Sequence, residues 1–293
     1  MVRQKPAKLP FLSSNLSATF FFHMLYLVST PIGNLSDFTY RAVDILKECD
    51  LILCEDTRTS KGLLDKYNID SKLASFHQFN EKKIEDVIIG KLKEGQRIGM
   101  ISDAGTPLVS DPGFYLVQRC REENIDVRAI PGASSVLAAL VVSGFNTEPF
   151  SFMGFLPKKE MEKQRVLKRA LCFEGTFVFF ETAKRLQKTL IDLKTIGYRK
   201  NVFVARELTK KFEEHLFGSV DEVIEKFKTE LGEIVVILEG TSIPKESLDP
   251  VEIIQTVMRE WDLPLKEAVK MGAKLLKEDK RSLYKKMVDH DRD

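Results

Sequence analysis

The chain has 293 residues, of which 43% are hydrophobic and 30% are charged, and its formal net charge is +2. This length suits two domains with a small third one, and the composition is typical of a globular protein rather than a disordered or membrane protein. The four cysteines show no C-x-x-C spacing and the four histidines are scattered, so we expect a reduced, cytoplasmic protein with no metal site.

The N-terminal segment, residues 1–23, has a basic start and contains the run Phe20-Phe21-Phe22, which superficially looks like a signal peptide. Polar residues interrupt this segment and no small-residue cleavage site follows it. We therefore expect residues 1–23 to be a disordered or mis-assigned extension. No run in the sequence reaches the roughly 20 apolar residues that a membrane span requires, so no membrane partner is expected.

Apolar, strand-like runs alternate with helix-like runs from Met24 to about residue 145. The predicted strands are 25–29, 51–54, 73–76, 97–101 and 127–130. The first predicted helix begins at Ser36. Three further helices are predicted at 82–93, 115–120 and 134–142. This alternation is typical of a mainly parallel sheet with helical crossovers, so residues 24–145 are expected to form an N-terminal α/β domain.

Loops of small residues follow three of these strands, at 29–35, 102–113 and 130–135. In the central loop, Asp111 and Pro112 are predicted to be the N-cap and first-turn proline of the next helix. The carboxyl ends of parallel strands meet at one sheet edge, where open α/β sheets bind ligands. One such loop would fit a plain turn equally well, but three at the same edge predict a binding cleft.

A charged cluster, Glu55-Asp56-Thr57-Arg58, follows the buried strand 51–54 directly. Such clusters are commonly salt-bridged turns. Because this one falls at the same predicted sheet edge as the three loops, a functional role is favoured.

A second α/β domain is expected over residues 146–243, with strands at 150–155, 176–180, 201–205, 214–217 and 233–238. It should have more antiparallel character, because strand 214–217 follows the preceding strand after a short turn. Its segment 158–169 has a local net charge of +4 from six Lys or Arg and two Glu. A solvated helix face and an anion-binding patch both fit that segment.

The last segment, 248–293, is helical in pattern, with helices predicted at 263–276 and 282–288. Residues 263–286 contain eight Lys or Arg and three acidic residues, a net charge of +5. A small basic helical tail domain that carries Tyr284 fits contact with nucleic acid.

Common cofactor motifs are missing from this sequence: it has no G-x-G-x-x-G fingerprint, no phosphate loop and no G-x-S-x-G elbow. The residues alone therefore indicate a two-domain α/β protein that binds a small ligand between its domains and has basic patches.

A set of motifs occurs in order along the chain, namely Ser29-Thr-Pro-Ile-Gly-Asn-Leu35, Glu55-Asp-Thr-Arg58, Ser102-Asp-Ala-Gly-Thr-Pro107, Asp111-Pro-Gly113, Pro131-Gly132, Gly154-Phe-Leu-Pro157 and Arg206-Glu-Leu-Thr-Lys210. Together they resemble the bacterial small-subunit rRNA (cytidine-2′-O-)-methyltransferases, a family of the tetrapyrrole (corrin/porphyrin) methylase superfamily. The resemblance runs from Met24 to the tail. Phe79 departs from it, because many relatives have a second histidine there.

The resemblance implies two α/β domains of the tetrapyrrole methylase type with the cofactor cleft between them, plus a small C-terminal helical domain. The implied cofactor is S-adenosylmethionine. The residues expected to bind it are Pro31, Gly33, Asp103, Ala104, Gly105, Thr106, Pro131, Ser134, Ser135, Phe155, Phe180 and Leu208.

The implied reaction is methyl transfer to the ribose 2′-oxygen of a cytidine in the decoding region of 16S rRNA. Asp56, Glu55 and Asp103 are the candidate bases, and Arg58 and Lys210 would stabilise charge or hold phosphate. The residues expected to bind RNA are Lys158, Lys159, Lys163, Arg165, Lys280, Arg281, Lys285 and Lys286.

The expected partner is the small ribosomal subunit, and the resemblance implies a homodimer in the cytoplasm. Two alternatives stay open on the same scaffold. One is a methylase of a corrinoid or porphyrin intermediate, and the other is a ribosome-binding factor that holds the cofactor without catalysis.

Overall fold

The computed structural model describes residues 24–173, 175–240, 249–261, 263–276 and 278–290, so the expectation for residues 1–23 lies outside the described residues. The chain divides into two compact units. The first contains residues 24–138 together with Glu207–Glu213, and the second contains the rest of the described chain. The division falls after Ala138, whereas the sequence suggested a boundary near residue 145, and Glu207–Glu213 had been expected in the second domain.

The first unit has a five-stranded, fully parallel sheet in the order β3-β2-β4-β1-β5. Its strands are β1 (Met24–Val28), β2 (Leu51–Cys54), β3 (Lys72–Ser75), β4 (Arg97–Ile101) and β5 (Asp126–Ile130). The helices between and after them are α1 (Tyr40–Lys47), α2 (Thr57–Lys66), α3 (Glu81–Lys93), α4 (Phe114–Glu122) and α5 (Ser135–Val142), the last of which runs across the division between the units.

Two hydrophobic clusters cover the two faces of this sheet. Met24, Tyr26 and Val28 of β1 pack in one cluster with residues of α1 and α2. Leu25, the residue between them in β1, packs in the other cluster with residues of α3 and α4. Because alternate strand residues point to opposite faces, a strand buried on both faces needs an almost continuous apolar run. This explains why the buried strands of this unit were identified from the sequence.

The second unit has a mixed five-stranded sheet in the order β6-β7-β10-β8-β9, in which only β6 and β7 pair in parallel. Its strands are β6 (Phe150–Phe155), β7 (Thr176–Thr182), β8 (Val202–Arg206), β9 (Glu214–Gly218) and β10 (Glu233–Leu238). Its helices are α6 (Glu160–Cys172), α7 (Ala183–Thr195) and α8 (Val220–Lys226). The antiparallel character expected for this part of the chain is confirmed.

Three C-terminal helices form a separate small core: α9 (Pro250–Trp261), α10 (Leu265–Leu276) and α11 (Lys280–His290). Ile254, Ala268 and Leu283, one residue from each helix, are fully buried in that core. The charged positions of α10 and α11 are therefore left for the outer surfaces of the helices. Among the described residues, no helix is both long and apolar enough to cross a membrane.

Helix starts differ from the sequence expectations at two places. The first predicted helix begins at Tyr40 rather than at Ser36, because Thr39 Oγ1 accepts a hydrogen bond from the backbone N–H of Ala42 at 3.1 Å and caps α1 there. The prediction that Asp111 is the N-cap of α4 is wrong. Gly113 holds that position with φ +124°, and its backbone N–H donates to Glu81 Oε1 at 3.2 Å.

Candidate active site

The three small-residue loops lie side by side at one edge of the first sheet, as the sequence predicted. They follow β4, β1 and β5, which are neighbours in the sheet and run parallel. The backbone N–H of Thr30 donates to the carbonyl of Gly105 at 2.9 Å, and the N–H of Gly105 donates back to Thr30 at 3.2 Å. The first and central loops are therefore joined by a two-way backbone bridge.

Hydroxyl groups extend this connection to the third loop. Ser29 Oγ lies 3.1 Å from Thr106 Oγ1, and the Thr106 hydroxyl donates to the carbonyl of Ala133 at 3.2 Å. Gly105 has φ +83°, a conformation that side-chain-bearing residues rarely adopt, which explains the glycine in the central loop. The three loops form one hydrogen-bonded ledge, and Gly33, Asp103, Ala104, Pro131 and Gly132 are exposed on it.

The segment Glu207–Glu213, which belongs to the first unit, packs on the first loop. The backbone N–H of Asn34 donates to Thr209 Oγ1 at 3.0 Å. A Cβ added to Gly33 would lie 2.8 Å from that same Oγ1 and would collide with the side chain of Lys210, so the approach requires glycine.

The same segment has an unusual backbone. Glu207 has φ +52° and Thr209 has φ +65°, and a β-branched residue such as threonine rarely adopts that region. Strained residues of this kind persist only where the surroundings hold them, and they cluster at functional sites. Lys210 Nζ is 3.0 Å from Glu207 Oε1, and Leu208 is buried. Residues 207–210 of the Arg206–Lys210 motif are thus built into the ledge of the first unit.

Asp56 has a structural role at the end of β2. Its Oδ1 accepts a hydrogen bond from the backbone N–H of Arg58 at 2.9 Å and caps α2. Its Oδ2 is 3.2 Å from the guanidinium of Arg58, whose side chain is 91% exposed. The side-chain and backbone hydrogen bonds from Arg58 lower the pKa of the Asp56 carboxyl, which makes it a weaker base.

The carboxyl groups of Asp103 and Asp111 have raised pKa values, in contrast to Asp56. Partial burial raises the pKa of the Asp103 carboxyl, with a smaller upward contribution from the charge of Asp56. Burial, helped by the nearby charge of Glu55, raises the pKa of Asp111 to about 6. Asp111 was predicted to be a helix cap and belongs to the Asp111-Pro-Gly113 motif, but it was not among the predicted site residues. Its position in the same small-residue loop as Asp103, within the Asp111-Pro-Gly113 motif, was the signal that could have identified it.

The loop after β3 is held by its own polar residues. Asn80 Oδ1 accepts a hydrogen bond from the backbone N–H of His77 at 2.8 Å, and its amide donates to the carbonyl of Ser75 at 2.9 Å. The Phe79 side chain is 89% exposed and makes an edge contact with the His77 ring. The departure at Phe79 therefore falls on an exposed turn rather than in the core.

In the second unit, Phe155 and Phe180 contact each other at the end of the β6–β7 pair. Their ring centroids are 5.3 Å apart, and Phe152 packs on Phe180 at 4.8 Å. Phe155 is 55% exposed, so it offers an aromatic surface for a ligand.

The basic residues expected to bind RNA in segment 158–169 separate into two groups. Lys158, Lys159 and Arg165 are exposed, as expected for RNA-binding residues. Lys163 is not: its side chain is 5% exposed, forms an ion pair with Asp192 of α7, and lies 3.4 Å from Glu160. The expectation that Lys163 contacts RNA is therefore corrected, because its charge is used inside the protein.

The C-terminal candidates Lys280, Arg281, Lys285 and Lys286 are all exposed on α11. Lys286 forms an ion pair with Glu278 at 3.0 Å. Within the described residues, no group of His, Cys, Asp and Glu side chains has an arrangement that could hold a metal ion.

These features define a class of protein: an α/β enzyme whose ligand loops lie at one edge of a parallel sheet, followed along the chain by a mixed-sheet unit. Residues 24–224 match the family model of the Tetrapyrrole (Corrin/Porphyrin) Methylases. The chain belongs to this family.

Two curated relatives have the same name, "Ribosomal RNA small subunit methyltransferase I". The one from Rickettsia prowazekii is 44% identical over 74% of this chain and 78% of its own length. The one from Halalkalibacterium halodurans is 40% identical over 89% of this chain and 93% of its own length. Among solved structures, uroporphyrin III C-methyl transferase from Thermus thermophilus is similar in fold, with a TM-score of 0.54 at 17% identity over 74% of this chain and 97% of that one.

Proposed function

We propose that this chain is an S-adenosylmethionine-dependent methyltransferase of small-subunit ribosomal RNA. The observation that carries the proposal is the extent of the similarity to the Halalkalibacterium halodurans relative. An alignment over 89% of the chain must extend past residue 224, where the family model ends, and into the C-terminal helices. The uroporphyrin methyltransferase structure covers only 74% of the chain.

The ledge of the first unit suits the proposed cofactor. S-adenosylmethionine provides an already activated methyl group, so the protein has to orient it against the acceptor. Small exposed residues let a ligand approach the backbone closely, and the exposed carboxylate of Asp103 provides an anion for a cationic ligand. The residues proposed to hold the cofactor from this unit are Pro31, Gly33, Asp103, Ala104, Gly105, Thr106, Pro131, Ser134, Ser135 and Leu208. Phe155 and Phe180 of the second unit stay candidates on the resemblance.

For the acceptor, we propose the 2′-oxygen of a cytidine ribose in the decoding region. A ribose hydroxyl is a poor nucleophile until its proton leaves, so a positioned base accelerates the transfer. Asp103 suits this role better than Asp56, because its pKa is raised while Asp56 is committed to capping α2 and to Arg58. Glu55 is exposed beside them and stays a second candidate. Arg58 and Lys210 are proposed to hold phosphate or stabilise developing charge.

The proposed partner is the small ribosomal subunit or its 16S rRNA, in the cytoplasm, with the enzyme acting as a homodimer. The exposed cations Lys158, Lys159 and Arg165, together with the basic face of α11, support contact with a phosphate backbone.

The direct test uses labelled S-adenosylmethionine and small subunits that lack the modification, followed by mapping of the labelled nucleotide. A single 2′-O-methylcytidine is the expected product. Transfer to a uroporphyrin or corrinoid substrate, with none to subunits, would instead favour the alternative that the family description suggests. Cofactor binding without transfer to either substrate would indicate a non-catalytic ribosome-binding factor.

A further inference from the structure

A groove of about 500 Å³ lies on the outer face of the C-terminal helices. Its walls come from two helices, with Lys266, Val269 and Lys270 on α10 and the remainder on α11. The α11 residues that line it are Lys280, Arg281, Tyr284, Lys285 and Val288.

The groove combines a flat apolar surface with a cationic rim. Tyr284 is 44% exposed, while its neighbour Leu283 is fully buried in the helical core, so part of the tyrosine ring is available to a ligand. The alkyl stems of lysine side chains add apolar surface while their ammonium groups stay in water. A ring of this kind with positive charges around it fits a planar aromatic group attached to an anion.

Within the described chain, most of the cations on the rim are not in ion pairs, and the carboxylate of Asp279 at the start of α11 accepts hydrogen bonds from the backbone N–H groups of Arg281 and Ser282. In the part of the chain that the structure describes, Lys280, Arg281 and Lys285 have no acidic partner within ion-pair distance, and Lys270 is a loose 3.8 Å from Glu267. Lys286, the next residue after Lys285, lies outside the groove and is paired with Glu278 at 3.0 Å. A solvated helix face usually mixes both signs of charge. Here cations of two helices line the same groove as one exposed aromatic ring.

We propose that this groove is a single-stranded RNA subsite, in which one unpaired base stacks on Tyr284 and the adjoining phosphates contact Lys280, Arg281 and Lys285. The proposal rests on the proposed function, since it assigns the groove to the same rRNA substrate. Bases in an RNA duplex are stacked on one another and cannot lie against a tyrosine ring, so the groove selects unpaired RNA. The subsite is a docking point rather than part of the methyl-transfer chemistry.

The first experiment measures binding of the full-length protein to a labelled oligouridine of roughly 12 nucleotides, a length within the usual single-strand site sizes, by fluorescence anisotropy. Tyr284→Ala is expected to weaken binding about fivefold or more, and Tyr284→Phe, which keeps the ring, to restore it. A thermal unfolding curve confirms that both variants fold. Equal affinity of the Ala variant and the wild type would overturn the proposal, as would equal affinity for a duplex of the same length.

The salt dependence of oligouridine binding tests whether the lysines on the rim of the groove contact phosphates. Loss of one phosphate contact lowers the slope of log K against log salt by about 0.7 for a single strand. Lys285→Gln is expected to lower the slope by about that amount, and Lys286→Gln to change it clearly less. Equal changes in the two variants would mean that only overall charge matters and would contradict a built subsite.

Methyl-transfer kinetics separate this proposal from the proposed function. With small subunits as substrate, Tyr284→Ala is expected to raise KM about fivefold or more at unchanged kcat and unchanged affinity for S-adenosylmethionine. A wild-type protein that binds oligouridine through Tyr284 but transfers no methyl group would refute the proposed function and keep the subsite. Normal KM and normal oligouridine binding by the Ala variant would refute the subsite alone.

Discussion

The backbone N–H of Asn34 donates a hydrogen bond to the side-chain oxygen of Thr209 at 3.0 Å. This contact joins the loop after β1 to the Arg206–Lys210 motif, two segments that are far apart in the sequence. Both segments carry candidate site residues, so the bond fixes the position of Gly33 relative to Leu208 within the first unit.

Removal of the Thr209 hydroxyl is expected to loosen this junction. Thr209→Ala should weaken S-adenosylmethionine binding about three- to tenfold, the equivalent of one ordinary hydrogen bond of about 1 kcal/mol. Thr209→Ser retains the acceptor oxygen and should bind like the wild type. Calorimetric titration gives both affinities, and identical weakening in the two variants would argue that the β-branched methyl group, not the oxygen, holds the loop.

The close approach at Gly33 gives a second prediction. In Gly33→Ala, the new Cβ would lie 2.8 Å from Thr209 Oγ1 and 3.0 Å from the carbonyl of Leu208, so the two segments must separate. Overpacking of this kind costs about 1–3 kcal/mol, and if that cost falls on the cofactor-binding conformation, cofactor affinity should fall by about fivefold or more.

Gly62→Ala is the matched control for Gly33→Ala. Gly62 is within α2, and an added Cβ there meets nothing within 4 Å. Alanine in a helix interior is about 0.5–1 kcal/mol more favourable than glycine, so this variant should be slightly more stable and fully active. If both variants bind cofactor equally well, the packing of Gly33 on Thr209 has no functional importance.

The strands show how much of the fold could be predicted from the sequence. β2, β4, β6 and β10 have the same bounds as the predicted runs. Three of them, β2, β4 and β10, lie inside their sheets, where a strand is apolar along almost its whole length, whereas β6 is a partly exposed edge strand. The prediction that the three loops lie at one sheet edge needed only the parallel direction of the strands before them. These predictions needed only local periodicity and general topology rules.

Features that depend on distant partners could not be predicted in this way. Lys163 reads as one member of an exposed basic run, and only the packing of α6 on α7 shows that Asp192 pairs with it. The start of α4 depends on Glu81, which accepts from Gly113 across the sheet edge. The raised pKa of Asp111 likewise arises from burial and from Glu55, a residue of another loop.

The roles of Asp103 and Asp56 are separated by two substitutions. Asp103→Asn removes the proposed base and should lower kcat at saturating cofactor by about 10²- to 10⁴-fold. It should also weaken cofactor binding, because the same carboxylate is the proposed anion for the cationic cofactor. Asp56→Ser keeps a good helix cap, so α2 should remain intact and kcat should stay within about tenfold of the wild type. Single-turnover kinetics give the rate of methyl transfer for both variants. A large loss of rate in the Ser variant with a mild loss in the Asn variant would indicate that Asp56 is the base.

Asp111 predicts a specific dependence of stability on pH. Its pKa in the folded protein is about 6, above the value of about 3.9 for an unfolded chain. The folded state therefore holds the proton more tightly, and this contribution to stability, complete below about pH 4, is lost as the pH rises through about 6.

Asp111→Asn should remove the loss of stability that occurs in the wild type as the pH rises. Because the carboxyl is only partly buried, we expect the variant to be more stable than the wild type by about 1 kcal/mol at about pH 8 and similar to it near pH 4. Urea denaturation across that range gives the difference. A variant that is less stable than the wild type at about pH 8 would show that the ionised carboxylate stabilises the loop.

Substitutions of Lys163 test whether this residue of α6 has a structural role or binds RNA. Its buried ammonium pairs with Asp192, whose side chain is 13% exposed, so Lys163→Met leaves an unpaired carboxylate in the protein interior. We expect a loss of about 3 kcal/mol in the free energy of unfolding, and recovery of most of it in Lys163→Met/Asp192→Leu, where both charges are replaced by apolar groups. Lys159→Met, on the exposed face of the same segment, should change stability by less than about 1 kcal/mol but should weaken RNA binding. A Lys163→Met protein that keeps its stability and loses RNA affinity would return this lysine to the RNA-binding surface.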